Sequence, residues 1–137
     1  MPLPEDLKRL IQGRGLPTRR PSDPVDQELE FLGIAKGTEF AEFFTAYVAS
    51  GLGAGDPADE LLDLCSPTAQ VRDATEWLRD MDEDFYREFV ALTSFESEGG
   101  YLYNVATGEV VDHSWPDVID ATWPSFNPFI RWCLSGN

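Results

Sequence analysis

The sequence predicts one α+β domain, a mainly antiparallel sheet flanked by helices, and three observations carry that expectation. The chain has 137 residues, 42% hydrophobic and 26% charged, enough to bury a sizeable core without disulfides. Apolar residues recur at three-and-four spacing in separate segments before and after a stretch of strand character. Within that stretch YLYNV (Tyr101 to Val105) and VVDHSW (Val110 to Trp115) are joined by ATGE, with Gly108 where a hairpin turn tolerates positive φ. Helices bracketing an antiparallel meander give an α+β arrangement, because a doubly wound sheet needs helices between its strands throughout.

Taken in order, MPLPEDLKRLIQGRG reads as a short N-terminal helix, and its Glu5, Asp6, Lys8 and Arg9 interrupt the apolar core that a secretory signal requires. The segment from Gly13 to Pro24, GRGLPTRRPSDP, reads as an exposed connection whose basic residues suit it to lie against an acidic body. A short helix over Pro24 to Leu32 follows, so that residues 1–36 precede a main α+β unit over 37–137. Thr38 caps the next helix, which places Phe40, Phe43, Phe44, Tyr47 and Val48 on one face, carries Glu39 and Glu42 in its first turn and ends at Gly51. Glu60 to Leu64 is a short apolar strand. From Ser66 and Pro67 a helix turns Val71, Ala74, Leu78 and Met81 inward and Arg72, Asp73, Glu76 and Arg79 outward. Phe89 to Phe95 forms a strand ahead of the hairpin, and a closing helix from Ser125 buries Phe126, Phe129, Ile130, Cys133 and Leu134. Pro128 is tolerated in its first turn.

The net charge is -15, from 25 acids against 10 bases, so the protein's field repels phosphate backbones and neither nucleic-acid nor anionic-membrane binding is expected. Residues 1–36 are balanced with six acids and six bases, and the whole excess lies in residues 37–137, with nineteen acids and four arginines. The longest uncharged stretch, Phe43 to Gly55, is thirteen residues with three glycines towards its end, too short and broken to span a bilayer, which points to a cytoplasmic protein. Cys65 and Cys133 form no CxxC pair and read as reduced core residues.

None of the chemistry-bearing motifs holds. GLGAGD (Gly51 to Asp56) has two of the three glycines of a dinucleotide loop and follows a helix instead of a strand, so no cofactor is expected. DMDED (Asp80 to Asp84) resembles a calcium loop only at its start, because Phe85 stands at the position of the loop glycine and Ala91 at that of the closing glutamate. His113, the sole histidine, has no zinc spacing or nucleophile motif around it and reads as a half-exposed sheet residue. No metal site and no catalytic residue is therefore expected, and the 25 acids single out no acid and base pair of a carboxylate-dependent hydrolase. The acidic run is better suited to a basic protein partner. Asp80, Asp82, Glu83, Asp84 and Glu88, with the loop pair Glu96 and Glu98, are the candidate docking residues. An exposed tryptophan beside them, from among Trp77, Trp115, Trp123 and Trp132, would be its anchor.

In their order, the aromatic helix EFAEFFTAY, ELLDL, FVALTSF, the hairpin GGYLYNVATGEV and the terminal SFNPFIRWCL resemble the SUKH superfamily, over about Thr38 to Leu134. That α+β domain is shared by fungal cell-wall regulators of the Knr type and by bacterial immunity proteins of polymorphic toxin systems. The chain departs from the family's pattern with GIAKGT before the aromatic helix and GLGAG after it, where members often carry Leu-Pro and Asn-Gly. The resemblance implies a non-enzymatic bacterial immunity protein that binds a cognate toxin domain, and the acidic charge suggests a basic partner such as a nuclease or another nucleic-acid-targeting enzyme. A scaffold or adaptor of the Knr type is the alternative, and a small hydrolase ranks last.

Overall fold

The computed structural model describes residues 3–49, 52–54, 56–65, 68–95, 99–114 and 118–135. In chain order these form α1 (Glu5–Arg14), α2 (Val25–Leu32), α3 (Glu39–Ala46), β1 (Gly53–Ala54), β2 (Asp56–Glu60), α4 (Gln70–Met81), α5 (Glu83–Tyr86), β3 (Phe89–Ala91), β4 (Gly99–Asn104), β5 (Val110–Ser114), β6 (Val118–Trp123) and α6 (Phe126–Leu134). Strands β3 to β6 make an antiparallel meander in sequence order, and β1 and β2 pair separately. The result is the α+β domain expected.

Alternation along the strands explains how one sheet serves two cores. Tyr101, Tyr103 and Val110 face the larger cluster, where Phe40, Phe43 and Phe44 of α3 meet Phe126, Phe129 and Ile130 of α6. Leu7 and Ile11 of α1 and Leu29 of α2 belong to the same cluster. The intervening Leu102 and Val111 face the opposite way, onto Leu78 of α4 and Tyr86 of α5, with Ala91 and Phe95. The aromatic side chains mesh closely, with Phe40 and Phe44 ring centroids 4.6 Å apart and Phe40 and Tyr103 at 4.8 Å. The hairpin closes as its residues require. Asn104 Oδ1 accepts the amides of Ala106 and Thr107, and Gly108 sits at φ 82°.

Thr38 caps α3, its Oγ1 accepting from Ala41 N at 3.2 Å, but the helix stops at Ala46 instead of reaching Gly51, which lies outside the described residues. The cause is Arg19. Its Nε donates to Phe44 O at 2.8 Å and a terminal nitrogen to Tyr47 O at 2.9 Å, so carbonyls that another helical turn would have satisfied are already occupied. Backbone bonds from Arg19 N to Ala46 O and from Val48 N to Pro17 O fix residues 46–48 as an extended pair with residues 17–19. Tyr47 and Val48 stay buried as expected, though in extended conformation.

The connection from Gly13 to Pro24 is largely exposed, yet the Arg19 side chain is only 5% exposed. The strand expected over Glu60 to Leu64 begins earlier, at Asp56, and ends at Glu60. Beyond it Leu61 bridges to Thr93 and Leu62 N donates to Leu92 O at the edge of the main sheet, and the chain then turns at Asp63 to meet Arg19. The strand expected over Phe89 to Phe95 shortens to Phe89–Ala91, because Thr93 Oγ1 accepts from Tyr101 N in place of a ladder bond. Ser66 and Pro67, expected to open α4, lie outside the described residues, and the helix begins at Gln70. Strand β6 was not expected: VIDATW carries a single aspartate and pairs along the whole of β5, with Asp120 bulged out.

Candidate partner-binding surface on α4 and α5

The α4–α5 corner is held from within. Arg79, expected to point into solvent, folds its guanidinium back onto the carbonyls of Tyr86 (3.3 Å), Arg87 (3.3 Å) and Phe89 (3.1 Å). That cation ties α5 and the start of β3 to α4. Asp82 ends α4 and caps α5, with Oδ1 accepting from Phe85 N at 3.1 Å. Asp84 pairs with the exposed Arg87 at 2.9 Å. Below them Phe85 packs edge-on against Tyr86 and lies 5.2 Å from the His113 ring.

His113 corrects the sequence reading. It is fully buried, with Nε2 3.0 Å from the Tyr86 hydroxyl. The alternation of Asp112, His113 and Ser114 suggested an open face, but β5 lies between β4 and β6 and His113 turns to the side that α5 covers. A polar residue on an interior strand needs a buried partner, and Tyr86 supplies it from sequence 27 residues away.

Of the docking residues expected from sequence, Asp80, Asp82, Glu83, Asp84 and Glu88 are all exposed at this corner, and Glu96 and Glu98 lie outside the described residues. Two of the five are already engaged, Asp82 in the cap and Asp84 with Arg87. The structure adds residues the sequence could not rank. Trp77 is 46% exposed and Met81, expected to be buried, is 50% exposed. They stand one turn apart on α4. Asp73 and Asp80 lie one turn before and about one turn after Trp77, and Glu76 precedes it, all three exposed. Among the described residues no ion pair engages Asp73, Glu76 or Asp80. Trp123 and Trp132 pack against the core, and Trp115 lies outside the described residues.

Beside Trp77 the surface dips into an open groove of about 450 Å³. Leu62, Ala74 and Phe95 give it apolar walls, and Asp73 and Gln70 stand at the polar side. Two further ion pairs hold buried acids. Arg19 holds Asp63, and Arg72 reaches the buried Glu28 at 3.4 Å while lying 5.2 Å over the Phe31 ring.

Among the described residues no group of three His, Cys, Asp or Glu side chains is placed to hold a metal ion, and no helix is long and apolar enough to cross a membrane. Comparison with family models, curated proteins and solved structures finds no match.

Proposed function

We propose that this chain is an immunity protein, which binds and occludes a cognate toxin domain of basic surface through the α4–α5 corner. The observation that carries the reading is the exposed pair Trp77 and Met81 set among Asp73, Glu76 and Asp80, which are in no ion pair among the described residues. Large exposed apolar side chains on a charged rim are how protein interfaces anchor, and a tryptophan is among the strongest such anchors. The rim sets the sign of the partner. With net charge -15 the protein steers cations towards itself and repels a second copy. A toxin that acts on nucleic acid must present a positive surface to phosphate, and an acidic protein seated there blocks its substrate. The resemblance to the SUKH superfamily supports the same reading, and the α+β fold is of the kind it implies.

The test is co-expression with the toxin-like product of an adjacent gene, followed by growth, co-purification and association kinetics. Asp73, Glu76 and Asp80 changed together to lysine should slow association about tenfold at low salt and flatten its salt dependence. As exposed side chains without ion pairs, they should each shift stability by no more than about 0.5 kcal/mol. Unchanged association with unchanged salt dependence would refute acidic steering. Absence of any complex with adjacent gene products would refute the immunity reading.

A further inference from the structure

We infer that the groove beside Trp77 is a receptor for one arginine side chain of the protein partner, an inference that rests on the partner-binding reading above. Three features of the groove point to a guanidinium on an aliphatic stem. The first is the indole of Trp77, which lines the groove and is 46% exposed, a ring type that attracts cations. The second is the apolar stretch of Leu62, Ala74 and Phe95, which suits the methylene chain that arginine carries behind its charge. The third is charge. Asp73 lines the groove and Asp80 stands on the same face of α4 beyond Trp77, and neither is in an ion pair among the described residues.

Arginine fits this combination better than lysine. Its planar guanidinium stacks on an indole while its edge donates in a fork to a carboxylate, whereas an ammonium is a more strongly hydrated point charge. The groove volume, about 450 Å³, falls within the roughly 300–1,000 Å³ typical of small-ligand clefts, so one side chain fills part of it and leaves room for the flanking backbone of the partner. Anionic ligands such as carboxylate or phosphate are the wrong ligands here, since no cation lines the groove among the described residues. Charge also argues against self-association, because a second copy brings another net charge of -15 to the same face.

The experiment uses the full chain and two small probes, n-butylguanidinium and its neutral planar isostere n-butylurea, with n-butylammonium as the lysine analogue. The readout is the indole N–H resonance of Trp77 in a nitrogen–proton correlation spectrum, assigned by its loss in Trp77→Phe. Butylguanidinium should shift that resonance saturably, butylammonium more weakly and butylurea least. Asp73→Asn should weaken the guanidinium response about threefold, and Asp73→Asn with Asp80→Asn should weaken it further, while the remaining spectrum keeps its native dispersion. No saturable shift with butylguanidinium, an equal response to butylurea, or an undiminished response in the double variant would each overturn the inference. These outcomes separate from failure of the immunity reading. A probe that binds in a chain that protects against no toxin leaves the groove and removes the toxin, and protection unaffected by Trp77→Ala with no probe binding does the reverse.

Discussion

Removing the Asp63 carboxylate is the sharpest test of how the fold is held. Asp63 is fully buried, and among the described residues it accepts two bonds from the Arg19 guanidinium at 2.8 and 2.9 Å, one from Ala49 N at 2.8 Å and one from Cys65 N at 3.1 Å. Asp63→Ala strips a 5%-exposed guanidinium of its bidentate partner and leaves two amides without their acceptor. Breaking a buried pair costs about 3–5 kcal/mol, and each orphaned amide about 1–3 kcal/mol. The two costs overlap, since the same cavity admits water to all three groups, and Asp23 still bonds Arg19 at 3.1 Å. About 4 kcal/mol is the expected loss. In urea, with a slope of about 2 kcal/mol per M, the midpoint should fall by about 2 M with the slope unchanged. Arg19→Lys serves if Asp63→Ala does not fold: it keeps the charge, loses the fork and should cost about 1–3 kcal/mol. A loss below about 1 kcal/mol in Asp63→Ala would refute the account of Arg19 as the clamp on the C-terminal end of α3.

The same pair sets a pH dependence. Burial by itself would raise the Asp63 carboxyl, but the bonds from Arg19 and from the Ala49 and Cys65 amides outweigh it and hold the group below its ordinary 3.8. A carboxyl depressed in the folded state is protonated more readily when unfolded, so the stability it contributes is complete above the unfolded value of about 3.9 and disappears as pH falls through the folded one. Stability of the native sequence should therefore fall more steeply below about pH 4 than that of Asp63→Asn, and parallel curves would show that Asp63 is not charged in the fold.

Two further measurements probe the core. Phe43→Ala and Phe129→Ala, each removing a fully buried ring, should each cost about 3–5 kcal/mol in urea unfolding, and an unchanged midpoint for either would mean that its helix face is wrongly placed. Burial pushes the Cys133 thiol up to about 12 and that of Cys65 up to about 11, the latter against the pull of Arg19. At pH 8 a disulfide reagent should therefore leave Cys133 unlabelled until urea unfolds the chain and label the half-buried Cys65 slowly, whereas rapid labelling of both thiols in the native protein would contradict this packing.

Local signals carried most of the architecture. The Thr38 cap, the spacing of Phe40, Phe43 and Phe44 on α3, the apolar face of α6 behind Ser125 and the Gly108 turn each depend on residues within a turn or two of one another, and each appears as read. What escaped depends on partners distant in sequence. Arg19 and Asp63 are 44 residues apart, and their meeting explains why α3 is short and why the chain turns inward at Asp63. His113 was read from its neighbours in β5, while its surroundings are set by α5. Strand β6 escaped because its residues are exposed on both sides of an edge, so no period of two marks it.

The rotation of α4 joins these misses to function. Apolar periodicity chose Val71, Ala74, Leu78 and Met81 as the inner face, and of these Val71 and Leu78 are buried and Ala74 half-buried against the core, while Met81 is exposed. The structure turns the helix so that Thr75 is inside, its hydroxyl donating to Val71 O at 2.7 Å and accepting from Ala91 N at 3.0 Å. A threonine so placed locks α4 to β3, because a helix slipped around its axis would leave the buried Ala91 amide without its acceptor. The cost of that phase is borne on the flank, where Met81 and Trp77 come out into water among Asp73, Glu76 and Asp80. Stability alone favours the opposite exchange, with the two large apolar side chains in and the hydroxyl out. Departures of this kind from local consistency are concentrated where a surface serves a second purpose. On this chain the departure and the carboxylates without ion pairs fall on one helix face, which is why Trp77, instead of the acidic run itself, is the residue on which partner binding should turn.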